Sequence, residues 1–361
     1  MHKQHVALIF GGKSPEHEVS IVSARNIYNT IDTHKYKVSL IGIAQDGRWY
    51  LEKPEHHQAP DFRIGVEGLP LFILPGFTHS QIRLLEDGVA LDDIDVAFPI
   101  THGPNGEDGT LQGLLNQINI PFVGPDVLGS AVAMDKDVCK RLFIQAGIGC
   151  AQGVVLHKHL KDEISYTDIT KELGDVLFVK PANMGSSIGV SRATDEASFR
   201  TAIAEAFLYD TKILVEKAVT GRELECAVLG NEFPQASTIG EIIMEKGFYD
   251  FEAKYVSDVD AQLHIPAKNI PEATIEKIRK VAIQAYQCLS LEGLTRVDVF
   301  LTPDEEVLVN EVNTLPGFTS ISMYPKLWEA SGIAYTDLIS QLLDLAIARS
   351  RRTASLKSSR L

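Results

Sequence analysis

The sequence predicts an α/β protein that opens with a doubly wound, mostly parallel domain and continues into antiparallel β-structure. Three observations carry this. First, Val6-Ala7-Leu8-Ile9-Phe10 is a short, wholly apolar run of the type buried on both faces of a parallel sheet. Second, a glycine loop, a helical pattern over about 18–31 and a second strand over 38–43 follow it, a β-loop-α-β order whose ligands sit beyond the carboxyl ends of the strands. Third, two alternating runs, 295–301 and 307–313, flank a Thr-Pro-Asp turn signal and read as an antiparallel hairpin.

Composition bounds the rest. The 361 residues suffice for two or three domains, and a hydrophobic content of 45% supports real cores. A net charge of −14 argues against a nucleic-acid partner, which calls for a basic footprint. Cys139, Cys150, Cys226 and Cys288 are scattered without a C-x-x-C pair and read as small apolar fillers in a reducing compartment. The N-terminus leads straight into a strand, and no apolar run is long enough to span a bilayer, so the expectation is a soluble cytoplasmic protein without a membrane partner.

In chain order, Gly11-Gly12-Lys13-Ser14-Pro15-Glu16 follows the first strand. It is not a P-loop, because Ala7 stands where that motif needs its first glycine. Glu16 is either a ligand for a substrate ammonium or a carboxylate satisfying a helix N-terminus. Residues 44–93 read as a peripheral insertion of short strands. A buried strand over 95–100 then ends in the polar, glycine-rich loop 101–110, in which His102 is a candidate ligand contact or a satisfied loop histidine. The first domain closes near residue 125. Leu177-Phe178-Val179-Lys180-Pro181 is an apolar strand ending in a lysine, and the small-residue loop 183–190 after it can expose backbone N–H groups to phosphates. Residues 213–219 and 221–229 form further strands. The polar loop 245–260, with Tyr249, Lys254 and Tyr255, suits a mobile lid. Residues 271–289 read as an amphipathic helix, 337–348 as the last helix, and 350–361 as a basic, serine-rich disordered tail.

The hairpin is where chemistry concentrates. Side chains two apart on a strand share a face, so Arg296 and Asp298 point one way, as do Glu311 and Asn313. Pairing about Asp304 brings the two faces together, with Val297, Val299, Val309 and Val312 in the core. One cation, two carboxylates and a carboxamide on one surface suit Mg²⁺ and a transferring phosphoryl group. A solvated face with a surface ion pair is the plainer alternative, but it leaves the following Asn-Thr-Leu-Pro-Gly run into a Ser/Thr-rich stretch unexplained.

Read together, these motifs resemble the D-alanine–D-alanine ligases of the ATP-grasp superfamily. The matching stretches are G-G-K-S-P-E-H-E-V-S, H-G-P-N-G-E-D-G-T-L-Q-G, M-D-K, F-V-K-P-A-N-M-G-S-S-I-G-V, E-K-A-V-T-G-R-E, E-A-K-Y, R-V-D-V-F and N-E-V-N-T-L-P-G-F-T-S-I-S-M-Y-P. The resemblance implies an N-terminal substrate-binding domain over 1–125, then a two-subdomain ATP-grasp fold over 126–215 and 216–349. ATP lies between the two subdomains in that family. By the resemblance, Lys136, Lys180, Ser187, Lys217, Lys254 and Asn310 contact ATP, the chain through Glu216, Lys217, Ala218 and Val219 meets adenine mainly by backbone groups, and Glu223 holds the ribose. Asp298, Glu311 and Asn313 bind two Mg²⁺ or Mn²⁺, in agreement with the hairpin. Glu16 holds the first D-alanine ammonium with His102 nearby, and Ser322 and the Met323 backbone bind the second carboxylate. Arg296 and the Gly317 N–H form an oxyanion hole, and Glu16, Ser186 and Tyr255 latch the lid. The implied product is D-alanyl-D-alanine, made through an acyl phosphate for peptidoglycan precursors, by a homodimer. Tyr255 argues against the rival that forms a D-alanyl–D-lactate ester, and the full Arg296–Gly317 set argues against a nucleotide-binding regulatory protein without turnover.

Overall fold

The computed structural model describes residues 3–244 and 261–357. Its first sheet has six strands. β1 (Gln4–Gly11) is parallel to β2 (Tyr36–Ile43) on one side and to β6 (Val96–Pro99) on the other. β3 (Trp49–Glu52), β4 (Leu69–Ile73) and β5 (Ile82–Leu84) extend the β2 edge antiparallel, giving the order β5-β4-β3-β2-β1-β6. Much of the 44–93 segment is therefore a sheet extension, joined by the short helix α2 (Pro54–His57).

Because β1 is apolar throughout, it buries both faces. Val6, Leu8 and Phe10 meet Ile21, Ala24 and Ile27 of α1 (His17–Thr30), while Ala7 and Ile9 share a core with Leu111 and Leu115 of α3 (Thr110–Gln117). One helix on each face makes the domain doubly wound.

Next come α4 (Val127–Met134) and α5 (Lys136–Gln145). Asp135 caps α5 by accepting from the Asp137 and Val138 amides. The second sheet has the order β7-β10-β8-β9, built from β7 (Gly153–His157), β8 (Leu177–Pro181), β9 (Ser191–Ala193) and β10 (Lys212–Lys217), all antiparallel. α6 (Tyr166–Leu173) and α7 (Glu196–Tyr209) supply its core with Ile169, Phe199 and Ala206. The third sheet has the order β13-β12-β11-β14-β15, also antiparallel, from β11 (Arg222–Gly230), β12 (Gln235–Met244), β13 (Ala261–His264), β14 (Gly293–Leu301) and β15 (Val307–Asn313). α8 (Glu272–Cys288) packs on it, and α9 (Met323–Ala330) and α10 (Tyr335–Ala354) follow.

Packing departs from the expected partition in three places. The boundary placed at residue 216 falls inside β10, whose pairing with β7 and β8 runs through Lys217. α5, expected in the central unit, turns Cys139 and Phe143, four residues apart on one helical face, into the core beneath the third sheet. The first and third sheets share a further core, where Phe318 packs edge-on against Phe98 of β6 at 5.7 Å.

The chain end is also a correction. Against the sequence expectation of a last helix over 337–348 and disorder from residue 350, α10 runs to Ala354. Its basic residues are used: Arg349 is buried and donates to Phe122 O (2.8 Å) and Gly124 O, while Arg352 bridges Glu232 and Glu292. The lid expected at 245–260, with Tyr255 and Lys254, lies outside the described residues. No helix among the described residues is long and apolar enough to cross a membrane.

Candidate active site

A cleft lies between the second and third sheets, lined from one side by Phe178, Lys180 and Glu216 and from the other by Glu225, Asp298 and Glu311. Its floor is the β14–β15 hairpin. Arg296 opposes Asn313, Val297 opposes Val312 and Asp298 opposes Glu311. The four polar residues share the face anticipated for them, while Val297, Val299, Val309 and Val312 are all buried. The register shifts between Asp298 and Val299, so Asn310 is an extra residue on β15. This bulge brings Asn310 and Glu311 both into the cleft lining. The signal was present: Val309 and Val312 are three apart, and three residues cannot return to one face of a strand without a bulge.

Each charged group of the floor has a partner of opposite sign. Arg296 donates to both Asp298 oxygens at 2.7 Å and lies 3.1 Å from Glu225. Burial acts to lower the Arg296 pKa, but Asp298 and Glu225 outweigh it and hold the guanidinium well above its ordinary value, hence charged. Asn313 Nδ2 donates to Asp298 Oδ2 at 3.0 Å, and Lys136 Nζ lies 3.6 Å from Glu311 while donating to Met184 O at 2.6 Å. The metal fit rests on the donor set: opposed Asp298 and Glu311 carboxylates plus the Asn313 amide oxygen are hard oxygen donors, as Mg²⁺ requires when phosphates complete its shell. Among the described residues there is no group of three His, Cys, Asp or Glu that could hold a metal ion.

On the opposite wall Glu216 is buried between two lysines, Lys180 at 2.7 Å and Lys140. Burial raises its pKa, but the two ammonium groups prevail and hold the carboxyl below the usual range. Lys180 also reaches Asn310 Oδ1 at 3.5 Å, linking the two sheets. Sequence reasoning missed Lys140. The available signal was its i,i+4 spacing from Lys136 on one helix face. Lys217 is exposed at the mouth, and Glu223 and Val219 border the cleft. The Lys217 and Ala218 amides donate to Gln152 O and Val176 O, so neither N–H is left for a ligand.

The loop after β8 carries Ser186 and Ser187 in the left-handed region, at φ 51° and 57°. Such strain at non-glycine residues collects where function demands a shape. Ser187 borders the cleft, and Ser186 Oγ donates to Glu16 Oε1 across the domain junction. Glu16 is buried between two glycine loops. A Cβ on Gly103 would lie 2.6 Å from Glu16 Oε2, and one on Gly185 3.1 Å from it. At Gly103, whose φ is +71°, a side chain would be both strained and crowded, which favours glycine there.

His102 is 5% exposed, with Nδ1 3.0 Å from Leu315 O and Nε2 3.3 Å from Ser23 Oγ. A carbonyl only accepts, so Nδ1 carries the proton and Ser23 donates to Nε2. Burial pushes the ring down to about 4, so it is neutral at pH 7. Both nitrogens are thus taken by the protein. Gly317 precedes the buried Phe318, and Ser322 is the N-cap of α9, with Met323 its first residue. Ser322 Oγ accepts from the Thr319 N–H at 2.9 Å. The structure therefore brings Lys136, Lys180, Ser187, Glu216, Asp298, Asn310 and Glu311 to one cleft and Glu16 to Ser186. Tyr255 and Lys254 lie outside the described residues.

Comparison with known proteins is consistent across both halves. Residues 5–125 match the family model for the D-ala D-ala ligase N-terminus, and residues 142–344 that for its C-terminus. The chain is 51% identical over 369 residues to a D-alanine–D-alanine ligase of Shouchella clausii, with 99% of each chain covered. It is 48% identical to D-alanine–D-alanine ligase A of Escherichia coli, covering 99% of this chain and 100% of that one. Among solved structures, the D-alanine–D-alanine ligase of Coxiella burnetii superposes with a TM-score of 0.88 at 39% identity, covering 98% and 97% of the two chains. The VanG D-Ala:D-Ser ligase of Enterococcus faecalis gives 0.86 at 34%, covering 96% and 100%.

Proposed function

The chain belongs to the D-alanine–D-alanine ligase family, and on that premise we propose that it joins two D-alanine molecules at the expense of ATP, supplying the dipeptide for peptidoglycan precursors. Its fold is the ATP-grasp fold. The observation that carries the reading is the hairpin face, where a guanidinium, two carboxylates and a carboxamide meet lysines across a cleft between antiparallel sheets.

In this reading Glu16 receives the ammonium of the first D-alanine, oriented by the Ser186 hydroxyl, with the neutral His102 nearby in the loop whose Gly103 abuts Glu16. ATP enters the cleft, where Lys136 and Lys180 turn from Glu311 and Glu216 toward phosphates and Glu223 at the rim takes the ribose. Asp298, Glu311 and Asn313 would hold the Mg²⁺ or Mn²⁺ ions, which when bound neutralise charge on the transferring phosphoryl group. The first D-alanine carboxylate attacks the γ-phosphorus, ADP leaves, and an acyl phosphate remains. The amine of the second D-alanine, its carboxylate held at Ser322 and the Met323 amide, then attacks the carbonyl carbon and phosphate departs with the former carboxylate oxygen. Arg296 and the Gly317 N–H face the oxyanion of that step. Lys254 and Tyr255 complete the proposal as lid residues.

Phosphate release from ATP and Mg²⁺ with D-alanine, with the product identified by mass, tests it. Release that depends on D-alanine and yields the dipeptide is expected. Ester or mixed dipeptide preferred when D-lactate or D-serine competes at equal concentration would refute the choice of second substrate, and release without D-alanine would refute the ligase reading.

A further inference from the structure

We infer that Ser23, His102 and Glu107 form a clamp that sets the Gly317 N–H in place, so that they are positioning residues for the acyl-transfer half of the reaction. The inference rests on the function proposed above. It comes from where the N-terminal domain grips the chain after the hairpin.

Leu315 is held on both sides of its backbone. Its N–H donates to Glu107 Oε1 at 3.1 Å, and its carbonyl accepts from His102 Nδ1 at 3.0 Å. Phe318 is held the same way, donating to Ser23 Oγ at 3.3 Å and accepting from Tyr335 Oη at 2.7 Å. Between them lie Pro316, which has no N–H, and Gly317, whose N–H makes no hydrogen bond to another described residue. The anchors are themselves anchored. Ser23 donates to His102 Nε2, and the Gly103 N–H donates to Glu107 Oε2 at 2.7 Å. The Phe318 ring is buried against Phe98, Tyr324 and Tyr335.

Thus both backbone groups of Leu315 and both of Phe318, the residues that bracket Pro316 and Gly317, are fixed, three of the four from a domain more than 200 residues away in sequence. A donor aimed at developing charge is effective only if it is held before the charge appears. One loop of the N-terminal domain serves both places: Gly103 abuts the Glu16 carboxylate and donates to Glu107, which in turn holds Leu315. The site for the first ammonium and the donor for the later oxyanion therefore share one scaffold.

Glu107→Gln and Ser23→Ala test the clamp. Gln keeps the size of Glu107 but offers one accepting oxygen and one NH₂ where two amides need acceptors. Ser23→Ala removes the Phe318 acceptor and the His102 donor without changing charge. The readout is the ratio of phosphate released to dipeptide formed, with KM for ATP alongside. The expected result for both variants is an unchanged KM for ATP, dipeptide turnover lowered about tenfold, less than the ~10²-fold of a full 1 Å misplacement, and a ratio raised from one to three or more. The ratio rises because acyl phosphate still forms and, unattacked, escapes to be hydrolysed. Turnover that falls with the ratio held at one would mean a merely structural role and overturn the clamp; so would unchanged turnover. If Glu107→Gln does not fold, Ser23→Ala decides alone. A wild-type protein that forms no dipeptide overturns the function and the clamp together, whereas a coupled wild type with coupled variants overturns only the clamp.

Discussion

At Glu216 one buried carboxylate serves two ammonium groups. If Lys180 leaves for a nucleotide phosphate, Lys140 remains to balance the carboxylate, which avoids an orphaned buried charge. Orphaning typically costs about 3–5 kcal/mol. Lys140→Met should therefore weaken ATP binding, raising KM for ATP about tenfold while KM for D-alanine stays put; the reverse pattern in steady-state kinetics would contradict this. Glu311→Gln should leave the urea midpoint nearly unchanged and lower turnover at least a hundredfold, since it removes half of the opposed carboxylate pair. Near-normal turnover at ordinary Mg²⁺ would exclude Glu311 as a ligand. Two neutral histidines set a pH limit. Burial lowers His102 to about 4, and burial together with the Arg25 charge lowers His57 to about 4, from 6.5. Unfolded chains take these protons below about 6.5 and the folded protein does not until about 4, so stability is full above that range and falls as pH drops through it. His57 sits among Phe10, Tyr28 and Phe62, so His57→Phe should flatten the decline by up to about 1.4 kcal/mol per pH unit. Unfolding curves between pH 7 and 4 decide it.

The hairpin and the last helix show what patterning can and cannot reveal at the level of elements. Alternation along β14 and β15 was enough to place Arg296, Asp298, Glu311 and Asn313 on one face, because a strand repeats every two residues. The bulge at Asn310 was written in the valine spacing but is invisible to a rule that assumes unbroken pairing. The α10 extension escaped for a different reason. A basic, serine-rich run looks unpartnered until Glu232 and Glu292, far away in sequence, are seen to pair with Arg352. Arg349 of the same helix ties Phe122 and Gly124, at the exit of the first domain, to the third sheet's side of the molecule, and its guanidinium stacks 4.5 Å from the Phe122 ring. Arg349→Met should destabilise the protein by about 2–4 kcal/mol through two lost charge-assisted hydrogen bonds while leaving KM for ATP and D-alanine unchanged. A thermal midpoint equal to wild type would contradict this.

Across the whole molecule, chemistry is divided between sheets. The second sheet brings lysines and a strained serine loop, the third brings carboxylates and a guanidinium, and the first brings Glu16 and the clamp on residues 315–318. Motif order made most of the cleft legible, since each motif sits on its own strand or loop. What stayed hidden were contacts between units: Lys140 with Glu216, Glu107 with Leu315, and Ser23 with Phe318. No local period reports such pairs, and they exist only after the sheets have docked. In the proposed reaction these parts pass a D-alanine carboxylate through an acyl phosphate. Its most direct test uses D-alanine carrying ¹⁸O in both carboxylate oxygens and mass analysis of the phosphate released. One ¹⁸O in each phosphate and the dipeptide in equal amount are expected. Unlabelled phosphate would show that the carboxylate never bonded to phosphorus and would contradict the mechanism.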